Sequence, residues 1–347
     1  MENSSLIDRS RPVLVTGVSG FLGGYIASEL LAHGFQVLGT VRDLGGHADL
    51  SARVAVAHGV SGDRFSLCPA DLTSDSGWDA AVADCRYVIH AASPFPSVAP
   101  RRAADVIRPA REGTRRVLSA AHRAGVQRVV LTSSVAATNH GPGHAPYSEQ
   151  DWTDVTGRRA TAYYRSKTLA EQDAWDFARA HRIELTVLNP GVILGPVQEP
   201  RVGASVGLIA QLLAGGFRRL PRFGFSIADV RDVADAHVRA MVEPKAAGKR
   251  FLVSGEFRWL RDVSEQLAGE FPAYAHRLPS RTAPDWFVRA MALADPHARE
   301  IVHELGRDLS VDTTRAREVL GWAPREERHT LRDTAQSLID WGIVRAP

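Results

Sequence analysis

Only two cysteines, Cys68 and Cys85, occur in the 347 residues. Two thiols cannot build a disulfide framework, and neither has the paired spacing or nearby histidines of a zinc site, so both are read as packing residues. Lysine is almost as scarce: Lys167, Lys245 and Lys249 are the only three among 42 basic residues. Ammonium and guanidinium groups are not interchangeable, which makes each of the three a candidate for work arginine cannot do. Nowhere do about 18 uninterrupted apolar residues occur, so no membrane span is expected. The polar start, MENSSLIDRS, lacks the apolar region of a secretory signal, and the expected setting is the cytoplasm. Charge of one sign is lacking too. The basic residues face 39 acids, leaving a formal +3, and no basic cluster is interleaved with aromatics, so no nucleic-acid partner is expected. The thirteen histidines are scattered; the closest pair, His140 and His144, lies in a Gly/Pro-rich segment unsuited to helical ligation, and no metal is expected.

With 44% hydrophobic and 23% charged residues the composition is that of a globular chain, and the length suits two domains or one large α/β unit with an added lobe. Short apolar runs at Pro12–Thr16, Gln36–Val41, Phe65–Cys68, Tyr87–Ala91, Arg128–Leu131 and Leu185–Leu188 read as buried strands. Between them Phe21–His33, Ala103–Ala124 and Thr161–His181 carry apolar residues at helical spacing, with Gly34 and Gly125 where helix ends are expected. This alternation predicts an α/β fold with a doubly wound parallel sheet. After Asn189 it fails. A helical stretch at Val206–Leu213 and a βα-like piece, Asp232–Met241 followed by Arg250–Ser254, precede a mainly helical, Trp-bearing tail. The expected division is residues 10–190 with 228–255 as the Rossmann part, and 191–227 with 256–347 as a smaller, mainly helical substrate-binding lobe.

Thr16 leads into Gly17-Val18-Ser19-Gly20-Phe21-Leu22-Gly23, a Gly-x-x-Gly-x-x-Gly turn between a predicted strand and a predicted helix. Gly17 permits the tight turn, Gly20 lets the backbone approach a pyrophosphate, Gly23 allows close packing, and the helix N-terminus supplies amides for the anion. A dinucleotide is the implied ligand. Past the second strand stands Arg42, whose guanidinium matches a 2′-phosphate and so favours NADP(H) over NAD; alternatively Arg42 is a surface charge and Asp43 serves the ribose. Asp71-Leu72 would reach the adenine edge and Ala91-Ala92-Ser93 would line the cofactor, although either could be a plain strand terminus.

Tyr163 and Lys167 stand at i and i+4 on one helix face, where an ammonium favours ionisation of the phenol. Such a pair also occurs by chance on solvated faces. Here the fifth strand ends in Thr132-Ser133-Ser134 at the carboxyl edge of the sheet, where a serine hydroxyl can meet a developing oxyanion. Serine, tyrosine and lysine beside a dinucleotide fit hydride transfer with proton delivery.

On TGVSGFLGG, TVRD, ADL, VIHAASPF, LTSS, YYRSKTLAEQDAWDFA, LNPGVILGP, DVRDVADAHVRAM and VDTTRAREVLGW, the chain resembles an extended short-chain dehydrogenase/reductase. Within that superfamily it is most similar to the dihydroflavonol-4-reductase and cinnamoyl-CoA-reductase-like group, over roughly residues 10–340. The resemblance implies Ser134, Tyr163 and Lys167 as catalytic residues, Tyr163 being the general acid, with Lys167 on the nicotinamide ribose. It implies cofactor contacts from Ser133, Thr132 and Pro190-Gly191-Val192, and substrate contacts from Asn139, Ser93, Ser134 and Tyr163. The expected partner is a small hydrophobic or aromatic aldehyde or ketone, closed over by Val206–Leu213 and the Trp286 region; the chain would be a monomer or homodimer. Two other readings stand beside this one. A sugar-nucleotide epimerase/dehydratase or hydroxysteroid dehydrogenase would use NAD, with Arg218, Arg219 and Arg222 available for a diphosphate. A non-catalytic NADP-sensing protein would normally lack the tyrosine or the lysine.

Overall fold

The computed structural model describes residues 9–47, 50, 64–93, 102–157 and 159–346. Residues 1–8 of the polar start and Pro94-Phe95 of the VIHAASPF stretch lie outside the described residues.

Runs of β-branched and aliphatic residues form β1 (Val13–Thr16), β2 (Val37–Val41), β3 (Phe65–Pro69), β4 (Tyr87–His90), β5 (Arg128–Thr132), β6 (Glu184–Pro190) and β9 (Arg250–Val253). They pair in the order β3-β2-β1-β4-β5-β6-β9, all parallel, as near-continuous apolar strands buried on both faces must. The crossover helices are α1 (Phe21–Ala32), α2 (Trp78–Val82), α3 (Ala104–Arg123), α4 (Ala162–His181) and α6 (Val230–Val242). Gly34 and Gly125 follow α1 and α3 with φ of +82° and +66°, the left-handed geometry that stops a helix. On one face of the sheet α1 and α6 bury Ile26, Leu30, Ala234 and Met241 together with Trp322; on the other, α2, α3 and α4 bury Trp78, Val117, Leu118 and Ala174. Both cysteines are free, and Cys85 is fully buried.

The chain leaves this sheet after Pro190 and builds a second one from β7 (Val192–Leu194), β8 (Gly224–Asp229) and β10 (Phe257–Trp259), in the order β10-β8-β7. The sequence reading lacked these three strands, so the lobe is less purely helical than expected. It is completed by α5 (Ala204–Leu213), α7 (Leu260–Glu270), α8 (Asp285–Met291), α9 (Pro296–Ile301), α10 (Thr314–Leu320) and α11 (Glu327–Asp340). Val206, Ile209, Leu212 and Leu213 of α5 are buried in the core of this lobe against Leu260, Leu267 and Leu331. The stretch expected to close over a substrate therefore spends its apolar face on core packing; Trp286, by contrast, is 70% exposed.

The two sheets are clasped at the start of α6. Asp229 caps the helix by accepting from the Arg231 amide (2.8 Å) and also receives Thr330 Oγ1 (2.8 Å), while Arg325 bonds Asp232 at 2.6 Å and Trp322 Nε1 donates to the Asp232 carbonyl at 2.9 Å.

Candidate active site

The carboxyl ends of β1, β4, β5 and β6 meet where the strand order reverses, the position at which open α/β sheets form a crevice. Thr16 ties β1 to β4: its hydroxyl accepts from the Ala92 amide at 3.0 Å and pairs with His90 Nδ1 at 2.8 Å. The Gly17 amide donates to Thr40 Oγ1 at 3.2 Å, joining β2 to the same corner.

The glycine turn is built for close approach. Gly17 has φ +70°, and a Cβ on Gly23 would lie 2.2 Å from the Gly17 carbonyl oxygen. Gly20 occupies the N-cap of α1 and offers no side-chain acceptor, and no acid stands in the first turn. The first amides of α1, at Phe21, Leu22 and Gly23, thus face outward with the positive end of the helix dipole and no local carboxylate competing for them, which fits a pyrophosphate. Ser19 lies within this turn. Arg42 is exposed just past β2 and, among the described residues, makes no hydrogen bond. Asp43 is turned away from it: its carboxylate accepts from the amides of Gly45 (3.0 Å) and Gly46 (3.2 Å), capping the short 3-10 turn at Gly45–His47. Asp71 accepts from the Thr73 amide and hydroxyl (2.7 and 2.8 Å), which holds its carboxyl below the usual range; the Arg42 charge adds in the same direction. Leu72, Ala91, Ala92 and Ser93 are partly exposed at the ends of β3 and β4, as are Gly191 and Val192 after β6, whereas Pro190 is buried. These residues fit a 2′-phosphorylated dinucleotide laid along the edge.

Tyr163 and Lys167 lie in the first turns of α4, which Thr161 caps by accepting from the Tyr164 amide at 3.4 Å. Ser134 faces them. Its hydroxyl accepts from the Ala136 amide at 3.2 Å, which leaves its proton for the Tyr163 phenol, to which it is hydrogen-bonded. Burial raises the Tyr163 pKa, and the Ser134 bond opposes the rise. Burial therefore outweighs any lowering of the phenol's pKa at this position, and Ser134 supplies the counterweight. Lys167 is pushed down to about 8 by burial, with Glu171 pulling it back up. His90, buried at the end of β4, is driven down to about 3 by burial, helped by the Lys167 charge, and so is neutral.

Other expected contacts have different commitments. Thr132 Oγ1 pairs with His237 Nε2 at 2.8 Å, and Ser133 Oγ donates to Glu171 at 2.6 Å. These two therefore have main chain, rather than hydroxyls, to offer a cofactor. Asn139 is buried, with Nδ2 on the Leu309 carbonyl at 3.2 Å and its Oδ1 without a partner among the described residues. Arg222 is paired with Asp285 at 2.7 Å, while Arg218 and Arg219 are exposed. Among the described residues no group of three or more His, Cys, Asp or Glu is placed to hold a metal ion, and no helix is long and apolar enough to cross a membrane.

Sequence reasoning missed the polar layer beneath this edge, Glu171, Asn189 and Arg250. Glu171 falls four residues after Lys167, a helical repeat of the Tyr163 to Lys167 step, and that spacing was the one signal available.

A model of a family described as NAD dependent epimerase/dehydratase matches residues 13–254. The chain is 35% identical over 269 residues to cinnamoyl-CoA reductase 1 of Arabidopsis thaliana, covering 76% of each protein. It is 33% identical over 268 residues to tetraketide alpha-pyrone reductase 1 of the same plant, covering 75% of this chain and 81% of that one. Among solved structures it superposes on the yeast methylglyoxal/isovaleraldehyde reductase Gre2 complexed with NADPH with a TM-score of 0.79 at 25% identity, covering 95% of this chain and 98% of the other.

Proposed function

The chain belongs to the NAD dependent epimerase/dehydratase family, as an extended short-chain dehydrogenase/reductase of the dihydroflavonol-4-reductase and cinnamoyl-CoA-reductase-like group, and from that premise we propose that it is an NADPH-dependent carbonyl reductase. Its proposed substrates are small hydrophobic or aromatic aldehydes and ketones. The observation that carries the reading is the meeting of Ser134 with Tyr163, with Lys167 one helical turn on, beside a glycine-cornered helix end free to take a pyrophosphate. The relatives' names, reductases acting on carbonyl-bearing compounds, point the same way.

In this reading residues 10–190 with 228–255 hold the cofactor and 191–227 with 256–347 shape the substrate site. The amides of α1 take the pyrophosphate and Arg42 takes the 2′-phosphate. Bound there, NADPH supplies hydride to the carbonyl carbon. The chain manages the oxygen. Ser134 turns its hydroxyl from the phenol to the substrate carbonyl and holds it as negative charge develops. Tyr163 gives the oxygen its phenolic proton. Burial makes Tyr163 a weak acid, which keeps its proton until the oxygen becomes alkoxide-like, and an alkoxide is far more basic than a phenolate. Lys167, protonated below about pH 8, favours the phenolate left behind and binds ribose hydroxyls.

The test is NADPH oxidation by the purified protein over a panel of aryl and aliphatic aldehydes, ketones and diketones, with Tyr163→Phe in parallel. Turnover that depends on Tyr163 is expected. No turnover across the panel, or full activity in Tyr163→Phe, would sink the reading.

A further inference from the structure

Glu171 is 1% exposed, yet its carboxylate meets four donors. Oε2 accepts from Ser133 Oγ at 2.6 Å and from Asn189 Nδ2 at 2.7 Å; Oε1 accepts from Arg250 Nε at 2.5 Å and from Trp175 Nε1 at 3.3 Å. The first three come from the ends of β5 and β6 and the start of β9, and the fourth from α4 itself. Asn189 also donates to the Ser134 carbonyl at 3.1 Å. Arg250 is immobilised in turn: it donates to the carbonyls of Glu149 (2.9 Å) and Asp151 (3.0 Å) and to Thr138 Oγ1 (3.2 Å), and lies 3.7 Å from the Trp152 ring centroid. One carboxylate thus bonds, directly or through Asn189, both residues of the Ser133-Ser134 corner and the strand leading to Pro190-Gly191, from a helix that also bears Tyr163 and Lys167.

We propose that Glu171 is a positioning residue of the reduction: its carboxylate locks the Ser134 corner onto the helix of Tyr163 and Lys167 and places a negative charge one turn from the Lys167 ammonium. This rests on the reductase reading above. The charged and titratable groups around the pair are His90 from β4, Tyr163 on the same helix, Arg250 from β9, and Glu149, whose Oε1 accepts from the Leu252 amide at 3.2 Å and whose Oε2 lies 3.7 Å from Arg315. On the α3 side of α4 the charges are already matched, Arg111 on Asp173 at 2.5 Å. Glu149 is committed to the Leu252 amide and to Arg315, and Arg250 and His90 cannot attract an ammonium, so the attraction Lys167 feels comes from Glu171, one helical turn away. A group that only braced the fold would scale the rate equally at all pH values. Glu171 does more: without its charge, Lys167 gives up its proton at lower pH, and reduction fails earlier as pH rises.

The experiment is the pH dependence of kcat/KM for NADPH-driven carbonyl reduction in wild type, Glu171→Gln and Glu171→Asp. In Glu171→Gln the alkaline limb should move down by about 0.5–1 pH unit, with a plateau lowered at least ~10-fold. In Glu171→Asp the limb should return while the plateau stays low, because the charge is kept and the reach is shortened. An unmoved limb in Glu171→Gln overturns the proposal. Should that variant fail to fold because Arg250 is left buried and unpaired, the double variant Glu171→Leu/Arg250→Met removes both charges. Its limb should lie below wild type by less than in Glu171→Gln, because the repulsion from Arg250 is lost together with the attraction to Glu171, and a limb at or above the wild-type position is equally fatal. Tyr163→Phe beside them separates the two levels of argument. Retained turnover in that variant refutes the reductase reading and this inference with it, whereas an inactive Tyr163→Phe with an unmoved Glu171→Gln limb refutes this inference alone.

Discussion

If Arg42 takes the 2′-phosphate as proposed, exchanging it for alanine removes one contact from one of two nearly identical cofactors, which makes the effect calculable. Asp43, the acid next to it in sequence, already accepts from Gly45 and Gly46 at 3.0 and 3.2 Å, and Asp71, which feels the Arg42 charge, accepts from Thr73, so removing Arg42 does not free a ribose-binding carboxylate that would reward NADH. In the proposed reading the amides at the start of α1 would meet the pyrophosphate, common to both cofactors, and would cancel in the comparison. What remains is a forked guanidinium–phosphate interaction, worth ~1.5–3 kcal/mol where shielded. Arg42 is open to water, so screening brings this to ~1–2 kcal/mol, or a factor of about 5–30 in the ratio of kcat/KM for NADPH over NADH. The assay is initial-rate kinetics with both cofactors at one saturating carbonyl substrate. NADH parameters should change less than about twofold, since the 2′-phosphate is the only group lost from the comparison. Raising ionic strength from 0.05 to 0.5 M should erode the wild-type preference and leave the variant almost unaffected. An unchanged NADPH/NADH ratio in Arg42→Ala would refute the assignment of this arginine to the phosphate.

Three further outcomes are expected. Tyr163→Phe should lower carbonyl reduction by ~10²–10⁴ while NADPH binding, followed by fluorescence, persists; Tyr164→Phe, whose ring stacks 4.0 Å from His140, should retain turnover, and the reverse pattern would show that the wrong tyrosine was chosen. His90 and His237 have folded-state pKa values of about 3 and about 4, below the usual ~6.5 of an unfolded chain, so their stabilisation is complete above pH 6.5 and is lost as pH falls toward those values. At pH 5 each should cost ~2 kcal/mol, and His237→Gln should flatten the fall in urea-melt stability between pH 7.5 and 5; parallel wild-type and variant curves would contradict this. Trp322→Ala, removing a ring 2% exposed and its bond to the Asp232 carbonyl, should cost ~3–5 kcal/mol and lower Tm, and a loss under 1 kcal/mol would show that the clasp is not tied through this ring.

The long parallel strands were legible because burial on both faces writes them as runs such as PVLVT and RVVLT, and the helices because Gly34 and Gly125 stop two of them where they were expected to stop. The short strands were not. Val192–Leu194 follows β6 after a single glycine, and Gly224–Asp229, although buried throughout, contains Gly, Ser, Ala and Asp and gives no apolar run. The apolar stripe of Ala204–Leu213 shows another limit, since a helix face that lines a pocket and one that fills a core read alike; here it fills the core. At the site, the i to i+4 step pointed to Tyr163 and Lys167, and the strand end pointed to the Ser133-Ser134 pair, of which only the family resemblance singled out Ser134. Glu171 looked like one more acid on a helix because its donors at 133, 189 and 250 are distant in sequence. The upward direction of the Tyr163 shift was not legible for a related reason: a neighbouring charge can be read from spacing, and burial cannot.

The clasp at the start of α6 has a consequence for synthesis. Ala316, Leu320 and Trp322 are buried in the same cluster as Val13, Ile26 and Leu30, and β9, which begins at Arg250, forms one edge of the main sheet. While the chain emerges from the ribosome, the glycine turn and the strands beside it precede the apolar layer that covers them, which stays incomplete until about 300 further residues have been made, some 15–60 seconds at usual elongation rates. Until α6 and Trp322 have been made, the face of α1 that carries Ile26 and Leu30 lacks its covering layer. Ribosome-bound chains stalled before and after Trp322 should therefore differ sharply in protease resistance.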